Sequence, residues 1–189
     1  KISVDSNFLI EINSKQGTYR ITGRETTEFP ETPKMEQKEK ITLKGEDLLN
    51  IIEKTGFAVS KDDLKPALCG VYFNLTKEKL TTVATDGHKL VKYIKKTKNT
   101  INKETSLVLP IKFLNIVKNL TKEKQETFLE VGENHIQTEQ GCYKVISRII
   151  KENFPDFNSV IPDDNTIIAE IQTNEIISSL KRVSIFSNK

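Results

Sequence analysis

The chain has 189 residues, of which 36% are hydrophobic and 29% charged, with a formal net charge of 29 − 26 = +3. This balance supplies enough apolar side chains for a packed core and excludes a highly basic arm; charge this mild does not by itself mark a nucleic-acid binder. No apolar run approaches the ~18 residues of a membrane span, and no secretory leader is visible.

The first residues, KISVDSNFLIEI, open in mid-pattern without an initiator methionine, so the sequence reads as a piece of something longer. QGTYRITGRETTEFPE from Gln16 then has a counterpart far downstream, QGCYKVISRIIKENFPD from Gln140, at an offset of 140 − 16 = 124. Tyr19 matches Tyr143, and Phe29-Pro30 matches Phe154-Pro155 after one inserted residue. The next stretch, ITLKGEDLLNIIEK from Ile41, resembles AEIQTNEIISSLKR from Ala169, at an offset of 169 − 41 = 128. Two independent pairs with nearly one period describe a tandem repeat. The chain reads as the tail of one unit, a complete second unit and the head of a third.

Within the complete unit, Leu43 to Lys54 reads as a strand end running into an amphipathic helix. Leu48, Leu49, Ile51 and Ile52 form its buried side, and Glu46, Asp47, Asn50, Glu53 and Lys54 the outer one. The runs GVYFNL, LTTVAT and HKLVKYI follow, alternating with period two and rich in β-branched and aromatic residues, as antiparallel strands do. VLPIKFLNIVKN from Val108 repeats the strand-to-helix step. It shares Leu-Asn-Ile-apolar with the first at an offset of 114 − 49 = 65. Pro110 stands at the helix start, where a missing N–H is tolerated. Phe113, Leu114, Val117 and Leu120 form its apolar face, and Lys112, Asn115, Asn119 and Lys122 the opposite one. Such an outer face is ordinarily a solvated one. TFLEV, HIQTE and CYKVISRI complete a second set of strands. The expected fold class is therefore α+β: a duplicated β-α-β-β-β unit whose two helices pack on antiparallel sheets, since neither half could bury its helix and sheet face alone.

Between LTTVAT and HKLVKYI lies Asp86-Gly87-His88. Asp-Gly is a strong hairpin cue, because glycine takes positive φ without cost and aspartate tolerates the left-handed region. A catalytic histidine would need an orienting acid and a converging nucleophile. Asp86 lies inside the turn, and Ser60, Cys69 and Ser106 lack a nucleophile-elbow context. A structural turn with an exposed binding edge is the better reading, and no catalytic residue is assigned. A small hydrolase using His88 and Asp86 stays as the alternative, beside a β-rich interaction module that does not bind DNA. The two cysteines, Cys69 and Cys142, sit inside strand-like runs, each with a single histidine (His88 or His135) near it and no metal-ligand spacing. No metal and no cofactor are expected, and cytoplasm with reduced thiols is the expected location. Downstream, ENFPDFNSVIP (Glu152 to Pro162) is broken by prolines and anchored by Phe154, Phe157, Val160 and Ile161. It reads as a linker between units, and crevices at such junctions are frequent ligand sites.

LKPALCGVYF, then LTTVATDGHKLV, then RIIKENFPDFNSVIP resemble the bacterial sliding clamps, the beta subunits of DNA polymerase III, in order along essentially the whole chain. The resemblance implies the sliding-clamp (DNA clamp) fold, with residues 1–37 as the end of clamp domain 1, 38–162 as domain 2 and 163–189 as the start of domain 3. It further implies a ring of two head-to-tail protomers, helices lining the hole, and duplex DNA held through it without sequence preference. Lys112, Asn115, Asn119 and Lys122 become the DNA-facing residues. A pocket for short peptides of the DNA polymerase III alpha subunit, the clamp loader and other partners is implied at Leu68, Thr85, Gly87, His88, Lys89, Leu90, Pro155 and Val160. Two positions depart from the family pattern: Lys89 stands for the usual arginine, keeping charge but not the planar fork, and Ser159 stands where an arginine is known.

Overall fold

The computed structural model describes residues 1–35, 39–96 and 104–187. It opens with a small meander, β1 (Ile2–Val4), β2 (Leu9–Ser14) and β3 (Gly17–Thr22), paired in that order as a separate antiparallel sheet. The main body follows: β4 (Glu39–Lys44), α1 (Gly45–Thr55), two 3-10 turns (Gly56–Ala58 and Pro66–Leu68), β5 (Gly70–Leu75), β6 (Lys79–Thr85) and β7 (Leu90–Lys96). Its second half repeats the plan with β8 (Thr105–Pro110), α2 (Ile111–Leu120), β9 (Glu126–Val131), β10 (His135–Gln140) and β11 (Tyr143–Arg148). A last helix, α3 (Thr173–Ser184), has no buried residue. Ala169–Gln172 leads into α3 as Ile41–Lys44 leads into α1, yet it forms no strand: β4 is fixed by its pairing with β9, and none of the described residues pairs with the later stretch.

The two halves exchange their first strands. One four-stranded sheet runs β7-β6-β5-β8 and the other β11-β10-β9-β4, both antiparallel. β4 therefore lies on β9 (Ile41 opposite Leu129, Leu43 opposite Thr127), and β8 lies on β5 (Leu107 opposite Phe73, Leu109 opposite Val71). Each half supplies a strand the other needs, so the two fold as one body. The inward residues of both sheets join Leu48, Ile51 and Ile52 of α1 and Phe113, Leu114 and Val117 of α2 in one continuous core. Leu49 is only half-buried rather than inside, and Leu120 likewise. The Leu-Asn-Ile echo also misaligns the halves by one residue. Residues equivalent in burial and pairing are 111 − 45 = 66 apart, so Leu48 corresponds to Leu114 and Ile51 to Val117, while Ile116 of the echo is 50% exposed.

Neither helix carries a side-chain cap, and both start on carbonyls of the opposite half. The N–H groups of Gly45 and Glu46 donate to the carbonyls of Gln125 (2.7 Å) and Glu123 (3.0 Å), and the N–H of Ile111 donates to that of Cys69 (3.3 Å). Orphan donors of a helix end are thus satisfied by backbone brought in by the strand exchange.

The duplication also exposes a mismatch. Thr127, fully buried, occupies the position that Val71 holds in the other half, and its hydroxyl has no hydrogen-bond partner among the described residues. An unsatisfied buried hydroxyl costs about 1–3 kcal/mol. Thr127→Val, which keeps the side-chain shape, is expected to raise stability by about 1 kcal/mol in chemical denaturation. A loss of stability would show that the hydroxyl is satisfied after all.

Candidate functional site

The turn between β6 and β7 is longer than the Asp-Gly signal implies. Thr85 pairs with Leu90, so the loop spans Asp86 to Lys89, and β7 begins two residues later than the run from His88 predicts. The aspartate side chain explains the extra length. Its Oδ1 accepts the N–H of His88 (3.0 Å) and of Lys89 (2.9 Å), and its Oδ2 forms an ion pair with the Lys89 ammonium. Thr85 Oγ1 accepts the N–H of Gly87 (3.1 Å) and donates to the carbonyl of Lys89 (2.8 Å), while Gly87 takes φ +92°. That conformation suits glycine.

These contacts, the Lys89 ammonium foremost, hold the Asp86 carboxyl well below the usual carboxylate range. With a depressed folded-state value, the group's contribution to stability is present above its unfolded value near ~3.9 and is lost only as the pH falls through the folded one. The amides of His88 and Lys89 are thus expected to stay protected from exchange at pH 4, and to lose that protection in Asp86→Ala. Equal exchange in both proteins would contradict the arrangement.

The same contacts turn Asp86 toward the backbone of His88 and toward Lys89, so it does not orient the His88 ring. Cys69 ends the 3-10 turn before β5, and Cys142 lies in the β10–β11 turn, so neither is inside a strand. Burial, with Asp63 and Asp62 beside it, pushes the Cys69 thiol up, which disfavours the thiolate a nucleophile needs. Among the described residues, no group of three His, Cys, Asp or Glu stands close enough to hold a metal ion.

The proline-broken linker is held against the β7-β6-β5-β8 sheet. The N–H of Ile150 donates to the carbonyl of Val108 (3.1 Å), and beyond it Phe154 stacks on Tyr72 with ring centroids 5.2 Å apart. Phe157 packs on Tyr72 at 5.8 Å, and the Lys92 ammonium lies 5.2 Å over the Phe157 ring while donating to Asn158 Oδ1 at 3.0 Å. Asp156 then closes a local turn: its Oδ1 accepts the Asn158 N–H (3.0 Å), and its carbonyl accepts the Ser159 hydroxyl (2.8 Å). Ser159 thus braces the turn.

Pinned this way, the linker faces the Asp86–Lys89 turn across a crevice of about 360 Å³. Leu68, Thr85, Gly87, His88, Lys89, Leu90, Pro155 and Val160 all line it, and so do Asp156 and Phe157, which the sequence reading had not placed there. The FPDF run was visible as an anchor, but which of its side chains turn toward the crevice depends on the stacking against Tyr72. Leu68 and Leu90 are half-buried, whereas Val160 is 68% exposed.

The other candidate surface is the outward side of α2. Lys112, Asn115 and Asn119 lie exposed on it, and Lys122 is exposed in the turn beyond. The neighbouring α1 presents exposed Glu46 and Glu53, while its Asp47 is half-buried and ion-paired with Lys95 at 2.8 Å. Among the described residues, no helix is long and apolar enough to cross a membrane.

Comparison with known proteins agrees with this architecture. Residues 42–156 match the family model of the DNA polymerase III beta subunit, central domain. The chain is 28% identical over 192 residues to the beta sliding clamp of Bacillus subtilis, and 25% identical over 189 residues to that of Chlamydia muridarum. All of this chain is covered in both alignments, against 50% and 52% of those proteins, so it spans about half the length of the curated relatives it matches. The crystal structure of the Bacillus subtilis DNA polymerase sliding clamp superposes with a TM-score of 0.81 at 25% identity, again over 100% of this chain and 50% of the other. With its exchanged strands, paired helices and matched central segment, the chain belongs to the family of the DNA polymerase III beta subunit and has the sliding-clamp fold.

Proposed function

We propose that the chain is a section of a DNA sliding clamp, a processivity factor that encircles duplex DNA and tethers replication and repair proteins through short docked peptides. In this reading residues 38–162 are the middle clamp domain, and 1–37 and 163–189 belong to its neighbours in a homodimeric ring in the cytoplasm. Agreement of β3 with β11, and of α3 with α1, supports that division. The observation that carries the docking role is the single crevice shared by the Asp86–Lys89 turn and the Pro155–Val160 segment.

Such a protein needs no bond-making residue. Lysines on the outward side of α2 attract phosphates without reading bases, so a ring slides while closure retains it. A peptide bound at about micromolar strength has only ~8 kcal/mol. Tethering it to a ring that stays on the duplex raises its effective concentration at the template, so modest affinity suffices. The DNA polymerase III alpha subunit and the clamp loader are the partners this mechanism calls for.

The DNA-facing role of α2 is tested by the salt dependence of duplex binding. Lys112→Glu is expected to weaken binding and to reduce the slope of log K against log salt by about 1, the effect of one lost phosphate contact. An unchanged slope would remove α2 from the DNA surface and favour an interaction module that does not bind DNA.

A further inference from the structure

The chain contains a single Asp-Gly dipeptide, Asp86-Gly87, and no Asn-Gly. Such a pair is chemically labile, because glycine has no Cβ to shield its nitrogen from the preceding side chain. The Gly87 nitrogen attacks Asp86 Cγ and forms an N–C bond, while the amide proton joins the hydroxyl of the protonated carboxyl, which leaves as water. Water then opens the succinimide ring. Opening at the side-chain carbonyl restores aspartate; opening at the main-chain carbonyl gives isoaspartate, with the backbone rerouted through the former side chain. We infer that Asp86-Gly87 is a latent isoaspartate site, held closed by the hydrogen bonds of Thr85 and Lys89.

Burial does not protect this bond. Gly87 is exposed, and a Cβ there would meet no described atom within 4 Å beyond its chain neighbours, so water reaches the peptide. Protection falls to the hydrogen bonds, which commit both reacting groups elsewhere. The Gly87 N–H donates to Thr85 Oγ1 (3.1 Å), and that hydroxyl is itself fixed by donating to the carbonyl of Lys89 (2.8 Å). Asp86 Oδ1 accepts the N–H groups of His88 (3.0 Å) and Lys89 (2.9 Å), and Oδ2 pairs with the Lys89 ammonium. Nucleophile and carbonyl carbon are thus tied to different partners, and a small displacement from attack geometry slows a reaction strongly.

The Lys89 contacts act in a second way. They hold the carboxyl well below the usual carboxylate range and so keep it ionised. An ionised carboxylate lacks the proton with which its oxygen departs as water. Isoaspartate would add a methylene to the main chain and take the carboxylate away from the His88 and Lys89 amides. The turn as it stands is incompatible with the product, and this holds whatever binds beside it.

The test follows the 189-residue protein at mildly acidic pH and body temperature, with isoaspartate quantified by chromatography of the tryptic peptide that spans Asp86. The synthetic peptide VATDGHKLV is the unstructured reference. Wild type is expected to accumulate isoaspartate at least about tenfold more slowly than that peptide. Thr85→Val, which keeps the shape but not the hydroxyl, and Lys89→Gln are each expected to react at least about threefold faster than wild type while remaining folded by circular dichroism. In concentrated urea the three proteins are expected to react alike, since only the folded turn holds the groups apart. Wild type as reactive as the peptide would overturn the inference, and so would folded variants that keep the wild-type rate. Rate differences that persist in urea would trace the effect to neighbouring side chains rather than to the turn, and would overturn it equally. Lys89 is exposed, so Lys89→Gln decides alone if Thr85→Val does not fold.

Discussion

Leu90→Asp is expected to lower the affinity of an acetylated, amidated apolar pentapeptide with two leucines and a terminal phenylalanine by at least about thirtyfold while the protein remains folded. Leu90 begins β7 and, with Leu68, Pro155 and Val160, supplies the apolar wall of the crevice. Burying a leucine against a ligand contributes roughly 1.5–3 kcal/mol, and each 1.4 kcal/mol is a factor of about ten in binding. Aspartate removes that contact and adds a carboxylate that the ligand would have to desolvate. The side chain is only half-buried in the free protein and lies outside the continuous core, so the substitution falls mainly on binding. Calorimetry gives the affinity and circular dichroism the fold. A folded variant with wild-type affinity would remove Leu90 from the docking surface.

Gly45→Ala sets two physical effects against each other. By helix propensity alone, alanine in the first turn of α1 would stabilise by up to about 1 kcal/mol. The packing there reverses the sign. A Cβ on Gly45 would lie 2.0 Å from the carbonyl oxygen of Lys122 and 2.8 Å from that of Gln125, both backbone atoms of the turn that caps the helix. Relief requires moving the turn and breaking the bond from the Gly45 N–H to Gln125, so a loss of about 3 kcal/mol or more is expected. Gly56→Ala is the control. There the new Cβ would meet the flexible end of Ile111 at 3.1 Å, and the backbone is already helical at φ −60°. Its effect is expected to stay within about 1 kcal/mol. Equal stability of the two variants in urea titration would contradict the cross-half cap.

Much of the fold is legible from local pattern. GVYFNL coincides with β5 residue for residue, and Phe113, Leu114 and Val117 face inward on α2 as their spacing requires. The strand exchange is not legible, because pairing partners for six-residue strands are chosen by the whole core and leave no local mark. The capping of α1 is hidden for a related reason: its partners are backbone carbonyls, which no residue type announces. The repeat misled at one point, since Ile51 and Ile116 match in letters while one is fully buried and the other half exposed. The crevice shows the same division. Its walls follow from the resemblance carried by the Asp86-Gly87-His88 and Phe154-Pro155-Asp156 blocks. The inward turn of Phe157 and Asp156, and the true length of the turn, depend on side-chain contacts across the sheet.

The most direct test of the docking account is a titration of the isotopically labelled protein with the apolar pentapeptide, followed by backbone amide NMR. The account predicts shifts concentrated at Leu68, at Thr85–Leu90 and at Asp156–Val160, and lost together in Leu68→Asp. Shifts centred on another surface, such as the outer face of the β11-β10-β9-β4 sheet, with the Asp86–Lys89 turn unmoved, would contradict it.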